Sequence, residues 1–163
     1  MSTPPERTAA EILTAFHEAG HAVMALSLGR DVHKVSILPN SLHQGVCELK
    51  KGRVKPAKDW LETEVLILLA GLAAEAKLTG QYAWHGAAQD LRMARSLVHS
   101  RAGSPRQAEK LERRMLDKAE YLLEDETTWQ AVTILAKELL THQTISGRAA
   151  RHHYEWVVAK AEE

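Results

Sequence analysis

The apolar positions of this chain fall into a helical rhythm over most of its length. From Ile12 to Leu28 apolar residues recur at three- and four-residue steps, the period of an amphipathic helix. Thr3-Pro4-Pro5-Glu6 reads as a capping box with proline in the first turn, so this helix is expected to begin there and to stop at Gly29. Residues 32–38 alternate apolar and polar side chains before Pro39-Asn40-Ser41 breaks the run, which predicts a strand over Val32 to Leu38. Gly45 to Lys50 is a second, more polar strand, suited to a sheet edge. Lys51-Gly52 and Pro56 mark a loop. Asp59 then caps a helix through Leu78 that Gly80 closes. A third helix is expected over Ala87 to Ala102. A fourth opens at the capping box Ser104-Pro105-Arg106-Gln107 and runs to about Glu124. Two more cover Thr127 to Leu140 and, from Ser146-Gly147, the stretch to Lys160. The pattern predicts an α+β fold, predominantly α-helical, with a small β-sheet or hairpin and a C-terminal helical bundle. A single domain over residues 1–163 is expected, 1–103 forming its catalytic part and 104–163 its C-terminal helical part.

Inside the first helix lies His17-Glu18-Ala19-Gly20-His21. Residues four apart share a helix face, so His17 and His21 aim two imidazoles at one point, the spacing that zinc takes from its first two ligands. Glu18 lies about 100° round the helix, placed to hold a water beside the metal without ligating it. Such an H-E-x-x-H helix, zincin-like in pattern, proposes peptide hydrolysis by zinc-activated water with Glu18 as general base. Two polar residues on a solvated face is the bland alternative, and it fits poorly. Phe16, Ala19, Ala22 and Val23 make the surrounding turns apolar, so the imidazoles should be at least partly buried and want a partner. Gly20, costly in a helix interior by about 1 kcal/mol, suggests room for another backbone, with the turn at Asp90 a candidate.

A catalytic zinc usually takes a third protein ligand. Two carboxylates compete on physical grounds. Glu75 sits among small apolar residues and should point inward, as a ligand or as a group orienting one. Asp90 follows Gly86-Ala87-Ala88-Gln89, small enough to bring that turn close to the first helix. Spacing alone leaves the two nearly even. His85 is near enough to assist an oxyanion, whereas His33, His43, His99, His142, His152 and His153 read as ordinary surface or partly buried histidines. Trp60, Trp84, Trp129 and Trp156 read as core or interface anchors.

Composition narrows the classes. Charges balance at 21 against 21 and 45% of residues are hydrophobic, which argues against disorder. With no basic excess and one phenylalanine, nucleic acid is not an expected partner. Cys47 is the single cysteine, so no internal disulfide forms and a reducing compartment is suited. The longest apolar run, Val65 to Ala74, is far short of the ~20 residues that span a bilayer. No secretory signal is visible, and a cytoplasmic location is the expectation.

Four blocks, in order, resemble the peptidase domain of the FtsH-type AAA+ zinc proteases. His17-Glu-Ala-Gly-His-Ala22 resembles that family's HEAGHA, and Val32 to Pro39 the strand after it. Leu69-Ala-Gly-Leu-Ala-Ala-Glu75 is similar to GGRAAEE, and Gly86-Ala-Ala-Gln-Asp-Leu91 to GAxNDL. A weaker similarity runs through Leu135 to Leu140 and Thr144 to Gly147. By this resemblance Asp90 takes the third zinc position beside His17 and His21, and Glu18 the general-base role. Departures occur at Leu72, Ala76 and Gln89, where the family has arginine, glutamate and asparagine. The chain carries no G-x-x-x-x-G-K-[ST] phosphate loop. The expected activity is therefore a zinc metalloendopeptidase acting on unfolded or flexible polypeptides, or working with a separate AAA+ unfoldase. The resemblance also implies a homo-oligomer. The competing reading is a proteolytically inactive zinc-binding module that docks to an unfoldase or another partner.

Overall fold

The computed structural model describes residues 6–40, 45–50 and 59–163. Along them run α1 (Ala9–Ser27), β1 (Val32–Ser36), β2 (Val46–Leu49), α2 (Trp60–Thr79), a 3₁₀ turn (Trp84–Ala87), α3 (Ala88–Arg101), α4 (Pro105–Glu124), α5 (Glu126–His142), β3 (Thr144–Ser146) and α6 (Gly147–Ala161). The fold is α+β and mainly helical, as the periodicity predicts.

Local chemistry explains most boundaries. Asp59 accepts the Glu62 amide at the start of α2, and Gly80 takes the left-handed conformation that ends it. Ser104 caps α4 through the Gln107 amide, and Ser146 caps α6 through the Ala149 amide. The Gln107 side chain reaches one residue further back than a closed capping box requires and accepts from the Gly103 amide. Asp125 caps α5, so that helix begins at Glu126 rather than Thr127. One start is corrected. α1 begins at Ala9, because Thr8 and Glu11 form the reciprocal box. Thr3, Pro4 and Pro5 of the expected box lie outside the described residues, as do Ser41, Lys51, Gly52 and Pro56 of the expected breaks and loop, and His43 among the histidines read as ordinary.

The sheet has three antiparallel strands in the order β2-β1-β3. β2 is an edge strand, as its polar sequence suggests. β3 has no counterpart in the sequence reading: it is three residues long with one buried side chain, Ile145, too short to show a period. β1 is shorter than expected, although the Ile37 amide still donates to the Gln143 carbonyl beyond it.

α2 is the centre of the molecule. Its residues from Val65 to Glu75 are almost all buried, the signature of a helix covered on every side. α1 packs along it, α5 covers α1, and α4 packs on the opposite flank. Val23, Met24, Leu66, Leu69, Leu135 and Leu139 fill the space between. Phe16 of α1 packs on Trp129 of α5 with ring centroids 5.7 Å apart. Trp129 is the one tryptophan seated on the core; Trp60, Trp84 and Trp156 are about half exposed. Among the described residues no helix is long and apolar enough to cross a membrane.

Candidate metal centre

Nine consecutive positions of α1 face outward nowhere: residues 17–25 are all buried, because α2 lies against one side and the sheet against another. His17, Glu18 and His21 are therefore interior polar groups, each less than a tenth exposed. Buried imidazoles need partners at both nitrogens. They have them.

His21 Nδ1 lies 2.7 Å from the Ile67 carbonyl oxygen. A carbonyl only accepts, so this nitrogen carries the proton and donates it. His17 Nδ1 stands 3.0 Å from Glu75 Oε1, an acceptor of the same kind. With both Nδ1 atoms backed from α2, both Nε2 atoms turn toward one point and lie 2.9 Å apart. Asp90 Oδ2 completes the triangle, 3.0 Å from His17 Nε2 and 3.2 Å from His21 Nε2. Asp90 is delivered by the first turn of α3, after the 3₁₀ turn that contains Gly86.

Two nitrogens and a carboxylate oxygen at such distances are held together by shared protons or by a cation among them. Burial opposes charge on His17, yet Asp90 and Glu75 outweigh it and lift its pKa to about 10. His21 is raised against the same burial, chiefly by Asp90. Burial likewise opposes ionisation of Asp90, but the two imidazoles hold its carboxyl well below the usual range. A site that binds a proton this firmly is one where a divalent ion can replace it. Tetrahedral zinc with bonds of about 2.0–2.1 Å wants donor atoms about 3.3 Å apart, close to the observed triangle. Among the described residues these three side chains are the one cluster of His, Cys, Asp or Glu that converges in this way. The donor set, two imidazoles and one carboxylate, suits zinc.

Glycine makes the convergence possible at a position the sequence reading passed over. A Cβ on Gly71 would stand 2.5 Å from His21 Nε2 and 2.6 Å from His17 Nε2. Bare backbone there leaves the space that the imidazoles and a cation share. Its signal in the sequence is a glycine interrupting an otherwise apolar helix, at a cost of about 1 kcal/mol. Gly20 does admit a close neighbour, but not the turn at Asp90. A Cβ on Gly20 would meet Ala70 O at 2.8 Å and Ala74 Cβ at 2.7 Å, so it lets α2 approach α1.

The triangle opens on a cleft of about 740 Å³. α1 contributes Glu18 to its floor, β2 runs along one wall, and α2 and α3 form the others. His85 is at the rim, exposed, on the 3₁₀ turn. Cys47 faces the cleft from β2; burial and the carboxylates of Glu18 and Asp90 push its thiol far up, so it stays protonated. His152 and His153 are on α6 and do not line this cleft.

The sequence profile of peptidase family M41 matches residues 6–104, more than half the chain and every residue of the triangle. Similar proteins carry the description ATP-dependent zinc metalloprotease FtsH. The one from Marinobacter nauticus is 32% identical over 113 residues, covering 67% of this chain and 17% of that protein. The Syntrophotalea carbinolica protein is 39% identical over 90 residues, covering 53% and 14%. A third, FtsH 3 of Sorangium cellulosum, is 41% identical over 89 residues, covering 52% and 15%. Each match therefore spans less than a fifth of the relative's length.

Proposed function

Because this chain belongs to peptidase family M41, of FtsH-type peptidase domains, we propose that it is a zinc metalloendopeptidase. His17, His21 and Asp90 would hold the ion, with Glu75 orienting His17 from behind rather than ligating. The observation that carries this reading is the triangle of Nε2, Nε2 and Oδ2 within 3.2 Å, each Nδ1 turned to an acceptor on α2. When bound, zinc polarises a peptide carbonyl and makes water acidic enough to lose a proton near neutral pH.

The protein's own groups do the rest. Glu18 is buried at the cleft floor, next along α1 from His17. Its carboxylate takes the proton of the attacking water and gives it to the departing amide nitrogen. Gly45 keeps the β2 entrance close to this carboxylate: a Cβ there would stand 3.1 Å from Glu18 Cγ. Substrate is held as an added strand along the edge of β2, through main-chain hydrogen bonds that tolerate many sequences. Extended backbone is a requirement of that binding, so unfolded or flexible polypeptides are the substrates, with an AAA+ unfolding activity supplying them from folded proteins.

Purified chain should contain about one zinc per molecule and should cleave a casein-like substrate without ATP. Glu18→Gln should keep the zinc and lose cleavage by at least about a hundredfold. Absence of cleavage by the native chain, as by Glu18→Gln, would leave only an inactive zinc-binding module, and rapid ATP-independent digestion of a tightly folded substrate would refute the dependence on extended backbone.

A further inference from the structure

The cleft continues well beyond the metal centre, and its far walls are apolar. α2 and α3 run antiparallel along it. Asp90 of α3 lies at the His17–His21 pair, beside Gly71 of α2, and at the other end Arg101 Nη1 bonds Asp59 Oδ1 at 2.9 Å. Between these ties the two helices present matching side chains to the cleft. Leu68 and Met93 come first, each three residues from its helix's contact with the triangle. Leu97 comes next, one turn on along α3, and Trp60 lies a further turn away, two turns from Leu68 on α2. Met93 is 51% exposed and Trp60 46%, large apolar surfaces left open within a cleft. Glu64 lies between them, but its charge is matched by Arg30 Nε at 2.9 Å, and both side chains are mostly buried.

The spacing of these side chains fits a strand, one turn from Met93 to Leu97 on α3 and two turns from Leu68 to Trp60 on α2. One turn of helix, four residues, advances about 6 Å, the distance from Met93 to Leu97 along α3. Two residues of an extended chain advance about 6.6 Å and return to the same side. A polypeptide laid on the outer edge of β2, which pairs with no other strand among the described residues, would thus drop every second side chain toward successive apolar positions. From Gly71 to Trp60 the α2 wall is about 16 Å long, enough for about five extended residues.

Resting on the peptidase reading above, we infer that this cleft selects substrates by an alternating apolar pattern on one side of the scissile bond. The residue nearest the bond enters the chamber of Leu68 and Met93, the residue two further along meets Leu97, and the residue four further along meets Trp60. The residues between them face away and are unselected. Such alternation is the pattern of a half-buried strand, which a native protein hides in its sheet and exposes only when that sheet opens. The substrate class is therefore strand segments of unfolded β-rich proteins, in preference to helical segments of equal hydrophobicity.

The test uses pairs of synthetic octapeptides of identical composition, one alternating leucine with serine and one with the leucines in a block. Binding to the full zinc-loaded chain carrying Glu18→Gln is read by tryptophan fluorescence and by competition, and cleavage by the native chain is read separately. The alternating isomer should bind at least about tenfold tighter. Met93→Glu should abolish the preference at the near position alone, and Trp60→Ser that at the far position alone. Both sites are half exposed, so neither substitution removes core packing, and unchanged melting checks this. Equal binding of the two isomers, or unchanged preferences in both variants, overturns the inference. If the native chain cleaves both isomers with equal kcat/KM, the pattern reading fails while hydrolysis stands. If the alternating isomer binds tightly and is never cut, hydrolysis fails while the pattern reading stands.

Discussion

Gly71 of α2 meets His21 of α1 with nothing but backbone: a Cβ at position 71 would come within 2.5 Å of the imidazole Nε2. The contact joins the helix that carries the two histidines to the helix that orients them. Gly71→Ala tests it cleanly. Alanine is the better helix former by about 1 kcal/mol, so the fold has no local reason to weaken. The imidazoles must nevertheless shift, and zinc affinity is expected to fall by about a hundredfold or more. Competition with a chromogenic chelator measures the affinity, and circular dichroism checks that the helices persist. Unchanged zinc affinity would show that the imidazoles yield freely.

Glu75 and Asp90 should separate by the size of their effects. Glu75 Oε1 touches only the rear nitrogen of His17, whereas Asp90 Oδ2 faces both Nε2 atoms. Glu75→Gln retains an oxygen at the same reach and is expected to weaken zinc binding by about 10–100-fold, the range for groups behind a ligand. Asp90→Asn should cost at least about another tenfold. The reverse order, measured by isothermal titration or chelator competition, would make Glu75 the ligand.

Gly147 is a packing device remote from the centre. A Cβ there would overlap the Val32 carbonyl oxygen, so the start of α6 can lie on β1 only without a side chain. Gly147→Ala is expected to cost about 2–4 kcal/mol, since backbone rather than a flexible side chain must yield. Gly86→Ala, with nothing within 4 Å of the added carbon, is the matched comparison and should be near neutral for stability. Urea denaturation distinguishes them; similar midpoints for the two would contradict the packing of α6 on β1.

α5 is expected to unfold together with α1. Leu135 is fully buried and Phe16 packs on Trp129, so the two helices share one interior. Leu135→Ala should remove about 2–5 kcal/mol. Tryptophan fluorescence and far-ultraviolet dichroism should report one coincident transition for native chain and variant alike. Two separated transitions would divide the chain near residue 104 into independent units.

What the sequence determined by itself is what depends on neighbours a few residues away. The H-E-x-x-H string places His17, Glu18 and His21 on a helix because periodicity and burial are local properties. Asp59, Gly80, Ser104 and Ser146 mark their helix ends because a cap acts over one turn. The peptidase family was legible too, through four short blocks in order.

The tertiary structure decided whatever needs residues distant along the chain to meet. His17 and Asp90 are 73 positions apart, and spacing left Asp90 and Glu75 even; the fold sets one in front of the imidazoles and the other behind. β3 exists only because Ile145 finds Val35, a pairing no three-residue stretch can announce. Gly20 and Gly71 are both glycines inside good helices, and which backbone or ring each admits is fixed by how α1 and α2 cross. Close approach is a property of two elements at once, and a linear pattern specifies each face without saying what will be pressed against it.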